Sequence, residues 1–509
     1  MRTSTYEIIL PLIGRDEREI QGKKLLINGL YGAMDVVDDE TAAAVEKDEV
    51  NDLPAFARER LASRGHITRR SREEELKDVE LLGRIHARTE ARISIGPVIL
   101  PTYNCNFRCP YCFESHRLSR GEEWLEAGMK PEMVEAVFLA LKKQREKGRI
   151  IDGCSLYGGE PFLKENKDTV RSICEHAKEM GLKLNAVTNG YDLDHFIDLL
   201  KEYDFKNLQI TVDGVGSTND SRRLHRDGVP TYEKIMSNIA LALENGLGIS
   251  LRVNVNAGNI GGIRDLIEDI EKRGLNEYDK FTYYFKAVSE DVSSPDRVTE
   301  KMIMDELLKT GLPVKEAMKK QSMYNMHLGI IDQLLKKESL PGFSTAFCGA
   351  EKGMICIAPD GKLYPCWDIV GMDEDAVGHT DIESGSFVYF FNKVKWKLRT
   401  SDRMEPCRTC PYIFVCRGGC VSEAKKEHGS YFREACSEHR ENFRFVASHA
   451  AGWKYEETGE TELSMSQFGP LSRLTENERK RLIEEKDPNE IFKLIKEYDL
   501  ASTIKNSED

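Results

Sequence analysis

Thirteen cysteines occur among the 509 residues, and most of them fall into two groups. Thiolates gathered in this way are ligands that zinc and iron–sulfur clusters prefer. The grouped positions are Cys105, Cys109, Cys112, Cys348, Cys356, Cys366, Cys407, Cys410, Cys416, Cys420 and Cys436. The other two, Cys154 and Cys174, lie in a strand-like and a helix-like pattern, and we expect them to be buried apolar side chains. The positions therefore predict two metal-binding regions.

The first group has the spacing Cys105-x3-Cys109-x2-Cys112 and follows an apolar run. Three thiolates so close together can hold one face of a cubane iron–sulfur cluster and leave the fourth iron open. An open iron can bind a small molecule, whereas a fully coordinated structural site cannot. A zinc site would need a fourth ligand. Glu114 and His116 follow closely in the sequence and keep that alternative open.

The second group is longer and more widely spaced. It reads Cys348-x7-Cys356-x9-Cys366, then Cys407-x2-Cys410-x5-Cys416-x3-Cys420-x15-Cys436. Eight thiolates are enough for two complete four-thiolate sites. Taken alone, this spacing fits zinc as well as iron–sulfur clusters.

Composition excludes several classes of protein. Lys and Arg total 73 and Asp and Glu total 86, so the net charge is −13, which argues against a general nucleic-acid binder. No apolar run approaches the roughly 18 residues of a membrane span, and the N-terminal apolar stretch is too short for a signal peptide. We therefore expect a cytoplasmic protein, and in that reducing compartment clustered cysteines bind metal more often than they form disulfides.

The elements that must position the first group form a repeating pattern. Short apolar runs alternate with amphipathic helical stretches such as Pro131–Lys147 and Lys167–Met180. The runs are Ile95–Thr102, Asp152–Tyr157, Lys183–Val187, Leu208–Val212, Ile249–Val255 and Lys280–Phe285. This alternation predicts an α/β fold with a parallel sheet, in which chemistry lies at the carboxyl ends of the strands. Six strands predict a partial (β/α)6 barrel, since a full barrel needs eight.

Smaller regions flank this barrel. Two short strands, beginning at Tyr6 and Lys24, and helices from Asp39 and Leu53 predict a small N-terminal α+β domain. The predicted organisation is this domain at 1–70, a helical linker at 71–94, the barrel at 95–310, a helical bridge at 311–340, a cysteine-rich region at 341–450 and an acidic helical tail at 451–509. Within the tail, Thr475 with Glu478 and Asp487 with Glu490 form capping-box patterns.

The first cysteine group, with Tyr111 before its last cysteine, resembles the hallmark motif of the radical S-adenosylmethionine (SAM) superfamily. After the second predicted strand, Gly158-Gly159-Glu160-Pro161 matches the GGEP motif of that family. The resemblance implies that this segment binds the methionyl amino group of SAM. Glycines would expose backbone carbonyls to the ammonium, and Glu160 would help to orient it.

Further positions that match the family follow later strands. Those that the resemblance assigns to the cofactor site are Thr188, Asn189, Thr211, Asp213, Arg223 and Arg252. Thr211 keeps a hydroxyl that would reach the ribose, and Arg223 would bind the cofactor carboxylate, for which a guanidinium is well suited. Asn219 departs from the histidine of the family's His-Asp-x-x-Arg segment. Arg252 is equally compatible with a structural polar residue in the barrel.

The resemblance implies reductive chemistry. An electron cleaves the sulfonium of SAM, and the resulting 5′-deoxyadenosyl radical abstracts hydrogen from an unactivated carbon. The electron would come from a donor such as flavodoxin or ferredoxin. We therefore expect an oxygen-sensitive enzyme.

The second cysteine group resembles the SPASM domain, a C-terminal extension of radical SAM enzymes that carries two auxiliary [4Fe–4S] clusters. The resemblance implies one cluster on Cys348, Cys356, Cys366 and Cys420 and another on Cys407, Cys410, Cys416 and Cys436. With the cluster that binds SAM, the protein would hold three [4Fe–4S] clusters.

SPASM proteins usually modify peptides or proteins. Sulfatase-maturing enzymes carry an aspartate base directly after the cysteine that corresponds to Cys366, but here Trp367 occupies that position and Asp368 follows it. Asp368 is therefore the candidate base, displaced by one residue. The element order of residues 1–70 resembles the leader-binding domains of peptide maturases, in which an extended leader would pair with an exposed strand edge.

These features predict a maturase that installs a cross-link, thioether or carbon–carbon, in a precursor peptide with a leader. One alternative is an enzyme that oxidises Cys or Ser to formylglycine. An alternative of another class is a zinc-stabilised scaffold that binds proteins without turnover.

Overall fold

The computed structural model describes residues 1–91, 95–112, 114, 121–288, 294–337, 344–436, 438–485 and 487–498. His116, the alternative zinc ligand, lies outside this range. The chain forms two compact units: unit 1 comprises Met1–Arg92, Met323–Phe347 and Arg399–Asp509, and unit 2 comprises Ile93–Ser322 and Cys348–Leu398.

The strands are β1 (Arg2–Thr3), β2 (Glu7–Ile13), β3 (Glu19–Asn28), β4 (Met34–Asp38), β5 (Ile67–Thr68), β6 (Gly96–Ile99), β7 (Gly153–Leu156), β8 (Lys183–Thr188), β9 (Phe205–Thr211), β10 (Ile249–Val255), β11 (Phe281–Ala287), β12 (Met354–Ile357), β13 (Lys362–Tyr364), β14 (Gly378–Asp381) and β15 (Ser386–Tyr389).

The α-helices are α1 (Asp39–Glu46), α2 (Ala55–Arg64), α3 (Arg72–Ala91), α4 (Glu122–Leu125), α5 (Pro131–Glu146), α6 (Lys167–Glu179), α7 (Ile197–Glu202), α8 (Ser217–Arg222), α9 (Tyr232–Glu244), α10 (Ile263–Lys272), α11 (Glu300–Lys309), α12 (Val314–Lys320), α13 (Ser322–Leu335), α14 (Gly349–Lys352), α15 (Asn392–Leu398), α16 (Glu405–Arg408), α17 (Ile413–Cys416), α18 (Val421–His428), α19 (His439–Thr458), α20 (Phe468–Arg473), α21 (Glu476–Glu484) and α22 (Pro488–Glu497).

Unit 2 is built on a sheet of ten strands in the order β11-β10-β9-β8-β7-β6-β12-β13-β14-β15. The six strands β6 to β11 are parallel, as the alternating pattern predicts, and each lies within a few residues of its predicted apolar run. Helices α5, α6, α9 and α10 connect them and bury one apolar face each; on α10 that face consists of Ile263, Leu266, Ile267 and Ile270. The predicted α/β partial barrel is therefore confirmed.

The two faces of these parallel strands differ in polarity. Leu208, Ile210 and Leu251 are fully buried on one face. On the other face Thr211 pairs in register with Arg252, which pairs with Tyr284. Because side chains alternate across a strand, this second face presents a row of polar groups, as the lining of a reaction cavity requires.

Strands β12 to β15 were not expected in the cysteine-rich region. β12, which carries Cys356, pairs in parallel with β6, and β13, β14 and β15 continue the sheet in antiparallel order. Gly361, at φ +80°, makes the tight turn between β12 and β13. These strands are only three or four residues long, and no α-helix lies between them in residues 354–389, so neither periodicity nor alternation with helices indicates them.

Unit 1 contains an antiparallel sheet, β2-β3-β4. The first two strands were predicted, whereas β4 was not. The outer edge of β4 is covered by the chain's own C-terminal part: Val36 N donates to Thr461 O (2.8 Å) and Leu463 N donates to Met34 O (2.8 Å). The outer edge of β4 is thus paired within the chain, and leader binding by residues 1–70 stays a prediction.

The acidic tail is a structural part of unit 1. Thr475 and Glu478 form the predicted capping box of α21. One helical turn later, Arg479 binds Asp78, a fully buried residue of α3 that also pairs with Arg70. No helix in the described part of the chain is long and apolar enough to cross a membrane.

Candidate active site and metal-binding regions

The loop after β6 brings the first three cysteines together. Asn104 starts it by accepting a hydrogen bond from Cys105 N (2.9 Å), and Phe107 N donates to the Cys105 sulfur (3.3 Å). Burial raises the pKa of Cys105 well above its usual value, and the nearby charges of Glu160, Cys109 and Cys112 act in the same direction. Such crowding of thiols is relieved when a cationic metal cluster binds them as thiolates.

Gly158 and Gly159 lie against the start of this cysteine loop. Glu160 N donates to Asn104 O (2.7 Å) and Gly159 N to Thr102 O (3.3 Å). A Cβ atom on Gly159 would lie 2.1 Å from Asn104 O, and one on Gly158, at φ +130°, 2.6 Å from Thr102 O. Only glycine fits at these two positions, because the two backbones are in contact.

Glu160 joins the ends of neighbouring strands. Its Oε1 accepts from Thr188 Oγ1 (2.6 Å) and Phe162 N (2.9 Å), and its Oε2 accepts from Asn189 N (2.6 Å). Burial raises the pKa of this carboxyl to about 7 against the opposing effect of these hydrogen bonds. In this structure both carboxylate oxygens are therefore engaged in holding the loops after β7 and β8.

Asn189 extends the same network to the cysteines. Its side-chain amide donates to Asn106 Oδ1 (2.6 Å) and lies 3.9 Å from the Cys105 sulfur. Thr188 and Asn189, both predicted cofactor residues, thus lie beside the cysteine loop and Glu160.

Asp213, after β9, is the hub of a second network. Its Oδ1 accepts from Asn254 N (2.9 Å), and its Oδ2 accepts from the Tyr111 hydroxyl. Arg223 Nη1 donates in turn to the Tyr111 oxygen (3.0 Å). The predicted residues Tyr111, Asp213 and Arg223 therefore form one hydrogen-bonded chain from the cysteine loop to the fourth parallel strand.

Arg223 has the geometry of an anion receptor. It is 8% exposed, its guanidinium faces the Phe107 ring at 5.4 Å, and among the described residues its Nε has no hydrogen-bond partner. A buried guanidinium with an unused donor fits the carboxylate of SAM, which supports the role that the resemblance assigns to it.

Asn219 and Asp220 have structural roles. Asn219 accepts from Asp213 N (2.9 Å) and donates to Thr231 Oγ1 (3.0 Å), so both polar atoms of its side-chain amide have a partner. Asp220 accepts from Thr231 N and Tyr232 N, both at 2.8 Å, and thereby caps the start of α9.

Sequence reasoning missed the segment that supports the cysteine loop from the other side. Arg108 N donates to Leu224 O (2.7 Å), and Arg226 N donates to Asn106 O (2.8 Å). The ring of His225 packs on Phe107 between them. A pairing between two irregular loops gives no periodic signal in the sequence. The only available indication was that these residues directly follow Arg223.

Trp367 and Asp368 lie on the same side of unit 2 as Tyr157. The Trp367 ring stacks on the Tyr157 ring at 5.6 Å, directly before Gly158. Burial raises the pKa of Tyr157 strongly, and the charges of Glu114 and Asp368 add to this effect while Arg252 opposes it. The structure thus brings the predicted base Asp368 and the predicted residue Arg252 near the glycine motif.

The auxiliary cysteines divide between the two units. In unit 2, burial and the nearby charges of Asp368, Cys356 and Cys348 raise the pKa of Cys366. Cys420, the fourth ligand that the resemblance assigns to this set, belongs to unit 1, so this set remains a prediction.

The other predicted set of four cluster-binding cysteines lies entirely in unit 1. Burial and the nearby charges of Cys416, Cys436 and Cys410 raise the pKa of Cys407 to about 12. The four thiols Cys407, Cys410, Cys416 and Cys436 are thus close enough to influence one another. Among the described residues no three Cys, His, Asp or Glu side chains converge on the position of a single metal ion.

None of the thirteen cysteines, all of which the structure describes, forms a disulfide bond. Cys154 and Cys174 are at most 2% exposed and pack as apolar side chains, as predicted.

Comparison with known proteins agrees with this geometry. Residues 99–277 match the model of the Radical SAM superfamily, so the chain contains a radical SAM domain, and the resemblance to that superfamily is confirmed. An S-adenosylmethionine-dependent nucleotide dehydratase from Psychrobacter lutiphocae is 30% identical over 187 residues, which cover 35% of this chain and 61% of that protein. The chain therefore spans about three fifths of that relative's length.

A PqqA peptide cyclase from Methylorubrum extorquens is 24% identical over 349 residues, 65% of this chain and 81% of that protein. Among solved structures, native anSMEcpe with bound AdoMet and Cp18Cys peptide superposes with a TM-score of 0.52 at 17% identity, over 70% of this chain and 97% of that one. This likeness supports the fold.

Proposed function

We propose that the protein is a radical SAM peptide maturase that installs a cross-link in a precursor peptide. The observation that carries the radical chemistry is the convergence of Cys105, Gly159 and Asp213 at the carboxyl ends of the parallel strands through direct hydrogen-bonded networks. These are the positions at which an α/β sheet of this kind places its chemistry.

The residues fit the implied cofactors. Cys105, Cys109 and Cys112 would hold a [4Fe–4S] cluster, and Arg223 would bind the SAM carboxylate through its unused Nε. When bound, the cluster and SAM supply the 5′-deoxyadenosyl radical. The protein orients them: Tyr111 aligns Arg223 with Asp213, and Glu160 and Asn189 hold the loops that border the cysteines.

A peptide substrate is supported by the length of the match to the PqqA peptide cyclase, which at 349 residues is longer than the radical SAM domain of residues 99–277. Two auxiliary [4Fe–4S] clusters, on the two four-cysteine sets, would complete the cofactors. The stacked rings of Tyr157 and Trp367 would provide an apolar contact for a side chain of the peptide.

Formylglycine formation is the second candidate, because Asp368 lies near Tyr157 and the glycine motif despite its displacement by one residue. Trp367 in the position of the expected aspartate favours the cross-linking reaction, since it places an aromatic ring where a base would stand.

The decisive experiment starts with anaerobic reconstitution of the full chain. Iron and sulfide analysis, followed by measurement of 5′-deoxyadenosine after reduction with dithionite, tests the radical chemistry. Zinc in place of iron, with no 5′-deoxyadenosine, would support the scaffold alternative. Short peptides encoded beside the gene then serve as substrates: a dehydrogenated product that is inert to a hydrazide reagent indicates a cross-link, and a hydrazide-reactive product indicates formylglycine.

A further inference from the structure

An exposed apolar surface lies at the end of the ten-stranded sheet in unit 2. It begins on the last strand, β15, with Val388 and continues through Phe390 and Phe391, of which Phe391 is 77% exposed. Val394 and Leu398 on α15 extend it. Val394 and Leu398 are four residues apart and lie along one side of α15, and Phe391 immediately precedes this helix. Exposed apolar surface of this kind is typical of a protein–protein contact.

The same surface is basic in an otherwise acidic protein. Residues 386–398 contain three lysines and no acidic residue, whereas the whole chain carries a net charge of −13. Among the described residues, none of Lys393, Lys395 and Lys397 forms an ion pair. An anionic partner would supply the missing counter-charges.

The lysines also crowd one another. The Lys393 ammonium lies over the Tyr389 ring, 2.9 Å from its centre. Burial lowers the pKa of Lys393 to about 7, and the positive charges of Lys397 and Arg149 add to this effect. A carboxylate brought to this surface would therefore interact with cations that repel each other in the free protein.

The buried side of α15 packs near two of the predicted auxiliary cysteines. Trp396 is 2% exposed, and α15 packs against α14, whose N-cap residue is Cys348. Cys356 lies on β12, in the same sheet as β15. The exposed surface is thus one helix away from a residue that is predicted to bind an auxiliary cluster.

We propose that this surface, which we call the donor patch (Val388, Phe390, Phe391, Lys393, Val394, Lys395, Lys397 and Leu398), is the docking site of an acidic one-electron donor protein. The inference rests on the proposed function, because the cluster that binds SAM must receive one electron before SAM can be cleaved. The donor is oxidised by one electron and the protein-bound cluster is reduced by one; no bond is formed or broken in this step.

Charge and shape both favour a folded donor. The most exposed side chain of the surface, Phe391, precedes α15, and Val394 and Leu398 project from this helix, which suits the flat surface of a folded protein. An extended acidic peptide would instead pair with the edge of β15. The experiment below distinguishes the two occupants.

The test compares K395E/K397E, which reverses two exposed lysines of the donor patch, with K183E/K272E, which reverses two exposed lysines elsewhere in unit 2. Phe391→Ser is a second, uncharged test of the patch. Binding of a purified bacterial flavodoxin is measured by calorimetry at low and high salt. Carbodiimide cross-linking to the flavodoxin, mapped by mass spectrometry, provides a readout that does not depend on turnover.

We expect K395E/K397E to weaken flavodoxin binding by about tenfold or more and to remove its salt dependence, since charges at an interface govern both. Phe391→Ser should weaken binding at all salt concentrations, and K183E/K272E should bind as the wild type does. Cross-links should map to Lys393, Lys395 or Lys397.

Changing the electron donor in the assay tests the donor patch separately from the proposed function. With dithionite, which needs no docking, all variants should form 5′-deoxyadenosine at the wild-type rate, and only the flavodoxin-driven rate should fall in the patch variants. No 5′-deoxyadenosine from the wild type with dithionite would contradict the proposed function. Unchanged flavodoxin binding in both patch variants would overturn the proposal. If the same variants bound a peptide substrate more weakly but flavodoxin as the wild type does, the surface would be a peptide site instead.

Discussion

The two cysteine-bearing regions share a pair of adjacent glycines beside the thiols, but the surroundings of the two pairs differ. In the loop of Cys105–Cys112, Gly158 and Gly159 allow a neighbouring strand end to touch the backbone of Thr102–Asn104. In the segment of Cys407–Cys436, a Cβ atom on Gly419 would lie 2.0 Å from Ala435 O, and Ala435 N donates to the carbonyl of the neighbouring Gly418 (2.8 Å). A pair of glycines thus brings two backbones into contact beside the thiols in both regions.

The surroundings of the two glycine pairs differ. The first loop is held from two strand ends of the large sheet, through Glu160 and Asp213, and by the irregular Leu224–Arg226 segment. The second is held mainly from within, because the buried guanidinium of Arg399 donates to the carbonyls of Tyr431 (2.6 Å), Gly419 (3.1 Å), Gly418 (3.2 Å) and Arg433 (2.9 Å).

This difference indicates how far the folded shape of each region depends on bound metal. The first loop belongs to a framework with a large apolar core, so it should keep its shape without a cluster. The second consists of short helices and turns around four thiols, so bound metal should contribute directly to its folding free energy.

The largest expected effect comes from removing a cysteine of each region. Cys105→Ala should abolish 5′-deoxyadenosine formation while unit 2 remains folded, whereas Cys407→Ala should unfold the segment around it. Iron analysis and hydrogen–deuterium exchange measure the two effects. Cys154→Ala, at a buried thiol outside both regions, is the control. Rapid exchange throughout the parallel sheet of Cys105→Ala would show that the first loop also depends on its cluster.

Arg399→Ala should be the next most damaging change. It leaves four carbonyl groups, three of them in buried hydrogen bonds, without their charged donor, and we expect unit 1 to lose about 3 kcal/mol of stability. Thermal unfolding combined with exchange measurements locates the loss. Arg399→Lys should recover part of it, because an ammonium reaches fewer of these carbonyls. Equal stability of Arg399→Ala and wild type would show that the segment is held by other contacts.

The glycine pair in unit 2 provides a subtler test. Gly159→Ala places a methyl group against Asn104 O and Tyr103 O, and the required backbone shift should cost about 2 kcal/mol. We expect SAM binding and 5′-deoxyadenosine formation to fall by roughly tenfold or more. Gly261→Ala is the matched control, since a methyl group there meets no atom within 4 Å. A Gly159→Ala enzyme as active as Gly261→Ala would contradict the backbone contact.

The sequence predicts the first region better than the second for physical reasons. Cys105 and Gly159 follow apolar runs that alternate with amphipathic helices, and this alternation indicates where the strand ends meet. Strands β12 to β15 are too short for periodicity, and Arg399 carries no motif, although its guanidinium organises the second region. The strand-like contact of Thr461 with β4 joins residues more than 400 positions apart, and no local pattern reports such a pairing.

The smallest expected effect distinguishes the two units by pH. In unit 1, His66 is fully buried between Glu7 (2.9 Å from Nδ1) and Asp35 (2.7 Å from Nε2). Burial alone would lower the pKa of His66, but the two carboxylates outweigh it and raise the pKa to about 9. An unfolded histidine titrates near pH 6.5. The folded state therefore binds the proton more tightly, and the stabilisation is complete below about pH 6.5 and is lost as the pH rises through about 9.

Between pH 7 and pH 9 we expect unit 1 to lose about 2 kcal/mol or less, whereas the lowered pKa of Lys393 acts in the opposite direction in unit 2. Pulse proteolysis, with the fragments assigned to each unit by mass spectrometry, measures both at once. His66→Gln should remove the pH dependence of unit 1 and lower its stability at pH 7, because Glu7 and Asp35 then lack a buried counter-charge between them. His195→Gln, at a half-exposed histidine of unit 2, should leave the profile of unit 1 unchanged. If unit 1 resists proteolysis equally at pH 7 and pH 9, then His66 is neutral in the folded protein, and the carboxylates around it are balanced by Arg64 instead.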